Sequence, residues 1–410
     1  MPSGPISVDT HLADILAQVR PLSAYPQPLL EAVGLPVAED VLSPRSVPIF
    51  DNSAMDGYAV RYADVASATT DSPVSLPVTG DIHAGAPSAH PLSPGTSMRI
   101  MTGAPVPMGA DSVVPVEWTD AGVTQVQVRR APTLGEHVRP IGDDVTKGDV
   151  LVRAGDMLDP RRIGLLASVG IDQVVVPPRP RVVVMSTGAE LVEPGRALHP
   201  GAIFESNSFL LTAAVRATGA VAYRARSTSD DPAAFLEALE DQLVRADLVI
   251  TSGGVSKGTR DVVKMALRSE PAMQFRQVAM QPGKPQGFGF VGSDRTPLFA
   301  LPGNPVSTYV SFEVFVAPAL RRLIGRSPVS RPLFRARLTE AVQSAPGKRQ
   351  YLRGQFIADQ DGTRVTPVGG AGSHLLAGLG AANALIVLRE DRSDVPAGES
   401  VPVMLLDREF

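Results

Sequence analysis

Three stretches of this chain share one pattern: "VVVMSTG" at 182–188, "LVITSGG" at 248–254 and "LFALPGN" at 298–304. Each is a continuous apolar run that ends in a glycine turn, and helical patterns lie between them. Alternating strands and helices predict a parallel sheet covered by helices. Because the carboxyl ends of parallel strands meet at one edge of a sheet, where ligands bind, we expect the three turns to lie close together.

The third turn has the clearest local chemistry. Asn304 suits the N-cap of a following helix, and Pro305 suits its first position. The main-chain N–H groups at such a helix start suit an anion such as phosphate. A glycine turn after a strand is usually only a turn, but three on one edge are a stronger signal. No Walker spacing and no dinucleotide glycine fingerprint follows these strands, so a plain ATPase or NAD enzyme is disfavoured.

The second turn continues into "TSGGVSKGTRD", which ends on Asp261. Three interpretations fit this stretch: a plain turn, a phosphate cradle, or one part of a larger metal and anion site. Glu190 and Asp261 could each be a first-turn helix acid, a position worth about 0.3–1 kcal/mol. Two carboxylates about 6 Å apart repel by about 2.8 kcal/mol at an effective dielectric near 20, which favours a bound divalent cation or protonation. Asp231 suits a helix N-cap, which leaves Asp230 without a capping role.

The pattern of the whole chain predicts a multidomain α/β protein. It combines a parallel doubly wound α/β domain, an inserted β-rich domain, a small mixed N-terminal domain and a C-terminal β domain. The predicted boundaries are 1–46 with 146–178 for the mixed domain, 47–145 for the insertion, 179–326 for the α/β domain and 327–410 for the C-terminal domain.

Local patterns add four expectations. Apolar spacing in "VDTHLADILAQVRPL" predicts a helix near the start of the chain. Asp159 and Pro160 suit the start of another helix, which Gly170 ends. "MDGYAV" predicts a tight turn at Asp-Gly between strands. "MQPGKPQGFG" predicts a stiff exposed loop that carries Lys284.

Composition limits the chemistry. The chain has 410 residues, no cysteine, six scattered histidines and a formal net charge of −4. Thiolate nucleophiles, disulfides and Cys- or His-built zinc sites are therefore disfavoured, and oxygen ligands favour a magnesium-like ion or an oxyanion. Without a polybasic run, nucleic acid is not expected as a partner. With no signal-peptide pattern and no long apolar run, we expect a soluble, intracellular protein without a membrane span.

The motifs "FDNSAMDGYAVR", "RIMTGAPVP", "STGAEL", "TSGGVSKGTRD", "QPGKP" and "LPGNPVS" occur in this order along the chain. The whole chain thereby resembles the molybdopterin molybdenumtransferase family (MoeA), relatives of the gephyrin E domain. The resemblance implies a molybdopterin-adenylyltransferase-like α/β domain and an elongated cytoplasmic homodimer of four-domain chains, with the site shared between chains. It implies binding of adenylated molybdopterin and molybdate, and Mg²⁺-dependent release of AMP to give molybdenum cofactor. It also implies contact with a molybdopterin adenylyltransferase.

By motif position, the resemblance assigns residues to three roles. The catalytic set is Asp56, Thr102, Asp144, Glu190, Asp230 and Asp261, of which Glu190, Asp230 and Asp261 are the metal set. The substrate-binding set is Ser252, Gly253, Gly254, Ser256, Lys284, Pro302, Gly303, Asn304, Arg353 and Ser373. A guanidinium such as that of Arg353 can bind an oxyanion through two donors, and Ser373 can donate to the same anion. The family often has lysine where this chain has Gln281, so one positive charge toward molybdate is missing, which Lys257 partly replaces if it points inward.

Two other functions compete with the transferase. The chain could adenylate molybdopterin itself, but the two additional β domains would then have no role. It could instead be a non-catalytic molybdopterin-binding scaffold, but it has no long linker or tail for recruiting partners, and it carries acids at the sheet edge.

Overall fold

The structure is a computed structural model that describes residues 4–86, 90–226, 231–255 and 261–407. The chain divides into two units: the first comprises Met1–Pro26, Gly34–Ala38 and Val175–Phe410, and the second comprises Gln27–Val33 and Glu39–Val174. Two short strands, Tyr25–Pro28 and Gln173–Val176, contain positions at which the chain passes from one unit to the other. Among the described residues, no helix is long and apolar enough to cross a membrane.

The central sheet of the first unit has six strands among the described residues. Side by side, these are Val221–Arg226, Arg181–Ser186, Leu248–Ser252, Thr296–Leu301, Pro285–Val291 and Gln274–Gln277. The first four are parallel, whereas Pro285–Val291 is antiparallel to both of its neighbours. The three apolar repeats therefore form three adjacent parallel strands, as predicted, and three further strands extend the sheet.

Successive side chains of each strand enter different cores because they point to opposite faces of the sheet. Val182 and Val184 share a core with the helix Asn207–Ala217, whereas Val183 and Met185 share a core with the helix Pro232–Leu243. Each of these strand side chains is fully buried, which stabilises the fold by about 1.5–3 kcal/mol per side chain. Helices on both faces confirm the predicted doubly wound domain, and they explain why the strand sequences are apolar throughout.

Two helices begin at the predicted capping residues, which accept main-chain N–H groups through their side chains. Asp231 accepts a main-chain N–H at 3.2 Å at the start of Pro232–Leu243. Asp159 does the same at 2.9 Å at the start of Pro160–Ser168. The predicted N-terminal helix is Val8–Gln18. A short helix, Val262–Ala266, and a 3₁₀ turn, Leu267–Ser269, follow the second glycine turn.

The long helix after the third turn consists of three consecutive segments. They are an α-helix at Pro305–Ser311, a π-helical turn at Phe312–Val316 and an α-helix at Ala317–Ile324. The π-helical turn leads into Pro318, which has no N–H for the regular helix hydrogen bond. Gly325 ends the helix at φ +78°, a left-handed conformation that favours glycine.

The C-terminal part of the first unit contains a closed barrel. Its strands, each paired with the next and the last paired with the first, are Arg349–Asp359, Gly362–Pro367, Leu333–Leu338, Ser400–Leu405 and Ala384–Leu388. The short strand Met280–Gln281 pairs in parallel with the first two residues of Arg349–Asp359. The remaining short elements of the unit are Leu191–Val192, Ile203–Phe204, Val342–Gln343, Asp394–Val395 and the helix Leu376–Gly380.

The second unit is mostly β, as predicted for the inserted segment. Its larger sheet has the order Ser112–Pro115, Gly57–Val60, Ser97–Ile100, Val74–Ile82 and Gln125–Val128. Two strand pairs accompany it, Asn52–Ser53 with Val138–Arg139 and Val41–Leu42 with Val150–Val152. Its other elements are the helices Tyr62–Val65 and Pro160–Ser168 and the 3₁₀ turn Val116–Trp118. The four domain boundaries stay a prediction.

The chain bends between the strands Asn52–Ser53 and Gly57–Val60, but the bend lies at 54–56, and the expected turn at Asp56-Gly57 is wrong in including Gly57. Gly57 is the first residue of the buried strand Gly57–Val60. A Cβ atom on Gly57 would lie 2.0 Å from the carbonyl oxygen of Val114 on the paired strand. The close approach of two strand backbones therefore requires this glycine, and the Asp-Gly sequence misled the prediction.

Candidate functional site

The three glycine turns meet at the carboxyl edge of the central sheet, as predicted. The Gly253 N–H donates to the Leu301 carbonyl at 3.1 Å. A Cβ atom on Gly253 would lie 3.4 Å from the Thr187 carbonyl oxygen, and one on Gly303 would lie 3.4 Å from Gly253 Cα. Thr187, Gly253 and Gly303 are thus neighbours, although their strands are far apart in sequence.

The second turn has a left-handed main chain. Gly253 has φ +94° and Gly254 has φ +68°. A Cβ atom on Gly254 would also lie 3.0 Å from the main-chain nitrogen of Val263, at the start of the following helix. A side chain at this position would be both strained and crowded, so the turn brings bare main chain to the sheet edge.

Ser252, the last residue of its strand, is buried, and Asn207 links it to the third turn. Asn207 Nδ2 donates to Ser252 Oγ at 2.8 Å and to the Gly303 carbonyl at 2.6 Å. Asn207 is the first residue of its helix, and Ser206 is the N-cap. Sequence reasoning therefore missed a site residue, and its only signal was an asparagine at a helix start.

The third turn carries Asn304, which occupies the N-cap position of the helix Pro305–Ser311 but does not cap it with its side chain. Its Nδ2 instead donates to Ser373 Oγ at 2.9 Å, and the Val306 N–H donates to the Ser373 carbonyl at 3.1 Å. One of the helix-start N–H groups that the sequence left for an anion therefore has a protein acceptor. Two predicted substrate-binding residues, Asn304 and Ser373, are in direct contact, with Pro302 and Gly303 just before them.

Arg353 lies on the strand Arg349–Asp359, and its side chain is buried. Its guanidinium donates to the Gly372 carbonyl at 3.1 Å and also to the Gly370 carbonyl. Burial lowers its pKa from the ordinary arginine value. These contacts hold the glycine-rich segment that leads to Ser373, whereas the oxyanion contact expected for Arg353 stays a prediction.

The charged residues at this edge lie around the turns. Glu190 is exposed and lies in a turn before the strand Leu191–Val192, so its interpretation as a first-turn helix acid is wrong. Its carboxylate folds back toward Gly188, where a Cβ atom would lie 2.6 Å from Glu190 Oε2. Asp261 is half-buried and directly precedes the helix Val262–Ala266 without capping it through its side chain.

Lys284 is half-buried, not exposed, and the strand Pro285–Val291 begins directly after it. Asp230, Ser256 and Lys257 lie outside the described residues. Within the described ranges, no group of three or more acidic or histidine side chains is arranged to hold a metal ion. The predicted metal set, which includes Asp230, therefore stays a prediction.

In the second unit, the structure brings two predicted catalytic residues together. Asp56 Oδ1 accepts from the Thr102 N–H at 2.6 Å and from Thr102 Oγ1 at 2.9 Å. These hydrogen bonds, the main-chain one first, lower the pKa of Asp56 below its ordinary value. Asp144 is exposed, and its N–H donates to the Val47 carbonyl at 3.0 Å. Among the described residues of this unit, no hydrogen bond joins the Asp144 side chain to Asp56 or Thr102.

The doubly wound domain, with its glycine turns at one edge of the sheet, places the chain in the class of molybdopterin-binding proteins. Residues 183–322 match the family model described as "Probable molybdopterin binding domain". Residues 6–170 match "MoeA N-terminal region (domain I and II)", and residues 335–406 match "MoeA C-terminal region (domain IV)".

Similar proteins cover the whole chain. Molybdopterin molybdenumtransferase 2 of Mycobacterium tuberculosis (strain H37Rv) is 46% identical over 406 residues, which are 97% of this chain and 98% of the relative. Molybdopterin molybdenumtransferase of Haemophilus influenzae is 38% identical, over 92% of each chain. A crystal structure of the molybdopterin biosynthesis MoeA protein of Pyrococcus horikoshii is 31% identical with a TM-score of 0.83, over 99% of this chain and 100% of that one. The chain belongs to the molybdopterin molybdenumtransferase family, which confirms the resemblance.

Proposed function

We propose that this chain is a molybdopterin molybdenumtransferase. It takes adenylated molybdopterin and molybdate, and one water cleaves the phosphoanhydride. AMP leaves, and the other phosphate stays on the molybdopterin. One molybdate oxygen then leaves as water with the protons of the two molybdopterin thiols, and both sulfurs bond to molybdenum to give molybdenum cofactor. Relatives that carry this name match the chain over nearly its full length.

The observation that carries the proposal is the meeting of the three strand-end turns. One edge of the sheet carries the bare main chain of Gly253 and Gly254. The same edge carries the contact of Asn304 with Ser373. Main-chain N–H groups and hydroxyls are donors suited to phosphate oxygens in a chain whose net charge is negative. Lys284 adds a positive charge, and the structure gives it no ion pair with a described carboxylate. The edge therefore suits the phosphates of an adenylate, which bind by position and charge.

Magnesium is the cofactor in this proposal. Oxygen donors suit Mg²⁺, and Asp261, which directly precedes the short helix after the second turn, is one carboxylate proposed to hold it. Glu190 and Asp230 complete the proposed set. When bound, the ion supplies charge neutralisation and polarises the phosphoanhydride.

The proposal includes the assembly that the family resemblance implies. The chain is a cytoplasmic homodimer, and each site takes Asp56 and Thr102 from one copy and the acids of the sheet edge from the other. A molybdopterin adenylyltransferase delivers the substrate by contact. Two-fold symmetry would give two equal sites per dimer.

The test is a reaction with adenylated molybdopterin, molybdate and Mg²⁺. We expect AMP release that requires both molybdate and the metal ion, together with cofactor that activates an apo-molybdoenzyme. Consumption of ATP to adenylate free molybdopterin, without AMP release, would contradict the proposal.

A further inference from the structure

Asn207 joins two of the three turns and has no assigned role. One atom, Asn207 Nδ2, donates to both Ser252 Oγ and the Gly303 carbonyl. Ser252 ends the second strand, and Gly303 lies in the third turn. The strands before the two turns are paired up to Ser252 and Leu301, and the Asn207 side chain, which belongs to neither turn, adds a link beyond that pairing.

The orientation of this amide is fixed by its partners. A carbonyl oxygen only accepts, so the atom that faces Gly303 must be Nδ2 and cannot be Oδ1. Asn207 Oδ1 is buried and has no hydrogen-bond partner among the residues that the structure describes. Burying an acceptor without a donor costs free energy of folding. The two hydrogen bonds made by Nδ2 explain why the amide keeps this orientation.

A cluster of charged groups holds the start of the helix that carries Asn207. Glu205 is buried and accepts from the Ser208 N–H at 2.8 Å and from the Ser208 hydroxyl. Arg224, on the edge strand Val221–Arg226, donates to Ser208 Oγ at 2.8 Å and to Glu193 at 2.7 Å. Because Asn207 lies between Glu205 and Ser208, the cluster fixes its backbone relative to the sheet.

We propose that Asn207 is a positioning residue that holds the second and third turns at the spacing that the AMP phosphate requires. This inference rests on the proposed function, because it concerns the same sheet edge. Asn207 acts through Ser252 and Gly303 and does not touch the phosphate. The paired strand ends remain without its donor, but the two turns beyond them lose a link and become less well ordered, so a ligand that contacts both turns binds more weakly.

Three variants test this, with AMP and Mg²⁺ as the probe in isothermal titration calorimetry. Asn207→Leu is similar in size, neutral and unable to donate, and we expect it to bind AMP about tenfold more weakly. Asn207→Asp places a carboxylate against the Gly303 carbonyl and should also bind weakly near pH 8. That contact raises the carboxyl pKa, so between about pH 8 and pH 5 the protonated group becomes a donor again and affinity should approach wild type. Asn207→Leu should show no such recovery.

Asn383→Leu is the matched control. Asn383 is half-buried like Asn207, and its amide pairs with both main-chain groups of Phe356. We expect it to lower the melting temperature without changing AMP affinity. If Asn207→Leu does not fold, the pH profile of Asn207→Asp carries the test.

Wild-type AMP affinity in Asn207→Leu would overturn the inference and leave the proposed function intact. Absence of AMP binding to the wild-type protein would instead count against the proposed function. Hydrogen exchange then decides the inference without a ligand. We expect Asn207→Leu to speed exchange of the Gly253 amide, and unchanged exchange would overturn the positioning role.

Discussion

Replacement of Arg353 by lysine shows whether this guanidinium holds the glycine-rich loop. The side chain is only 4% exposed, and it donates to the carbonyls of Gly370 and Gly372. The planar fork of arginine can reach both carbonyls at once. Lysine has one nitrogen on a flexible stem and cannot reproduce that geometry, so Arg353→Lys keeps one contact and loses the other.

The expected cost follows from the lost contact. A hydrogen bond from a charged donor contributes about 1.5–3 kcal/mol. Burial already lowers the pKa of Arg353, and it disfavours a lysine charge in the same way. We therefore expect the free energy of opening of this barrel to fall by about 1.5–3 kcal/mol. The affinity for molybdate should fall as well, because the loop carries Ser373.

Native-state hydrogen exchange of the amides in Arg349–Asp359 measures this free energy locally, which avoids the assumption that the whole chain unfolds in one step. The control is Arg364→Lys in the same barrel, where the arginine pairs with Asp359 at the surface. That change should cost at most about 1 kcal/mol. Unchanged opening in Arg353→Lys together with lost molybdate binding would refute the loop-holding role and leave Arg353 as an anion ligand.

Three further changes test individual residues, and a mixing experiment tests their assembly. Asp261→Asn should abolish AMP release while changing stability by about 0.5 kcal/mol or less, and normal turnover would reduce Asp261 to a residue that precedes a helix. Gln281→Lys should tighten molybdate binding, since a charge about 6 Å from the anion contributes about 2–3 kcal/mol before desolvation, and a titration that shows no gain would contradict this. Thr102→Val removes one of two donors and should raise the pKa of Asp56 in an NMR titration. The hydrogen bonds of Asp56 with Thr102 stabilise the fold above the unfolded pKa of Asp56, and this stabilisation disappears as the pH falls through the lower folded pKa. An Asp56 pKa that does not change in Thr102→Val would refute the hydroxyl as a cause of the shift. Mixing Asp56→Ala with Asp261→Asn should partly restore activity if the site is shared between chains, and a dead mixture despite subunit exchange would exclude sharing.

The sequence predicted the features that depend on local patterns. The apolar repeats identified adjacent parallel strands, and Asp159 and Asp231 were correctly assigned as helix caps. These assignments succeed because strand burial and helix capping depend on residues that are near in sequence.

The features that the sequence did not predict depend on distant partners. Asn207 contacts residues 45 and 96 positions away, and no local pattern reveals such an amide bridge. Gly57 is required by a neighbouring strand and not by the Asp-Gly turn that it suggests. Arg353 suggests an anion ligand by its chemistry, whereas the fold brings two carbonyls to it.

A crystal structure of the protein with AMP and Mg²⁺ bound tests most directly whether the carboxyl edge of the central sheet is the nucleotide site. The account predicts the AMP phosphate about 3 Å from main-chain N–H groups of the second and third turns, between Gly253 and Asn304. AMP bound at the opposite edge of the sheet would contradict the account. The cavity of about 670 Å³ beside Arg181 and Thr296 offers such an alternative place.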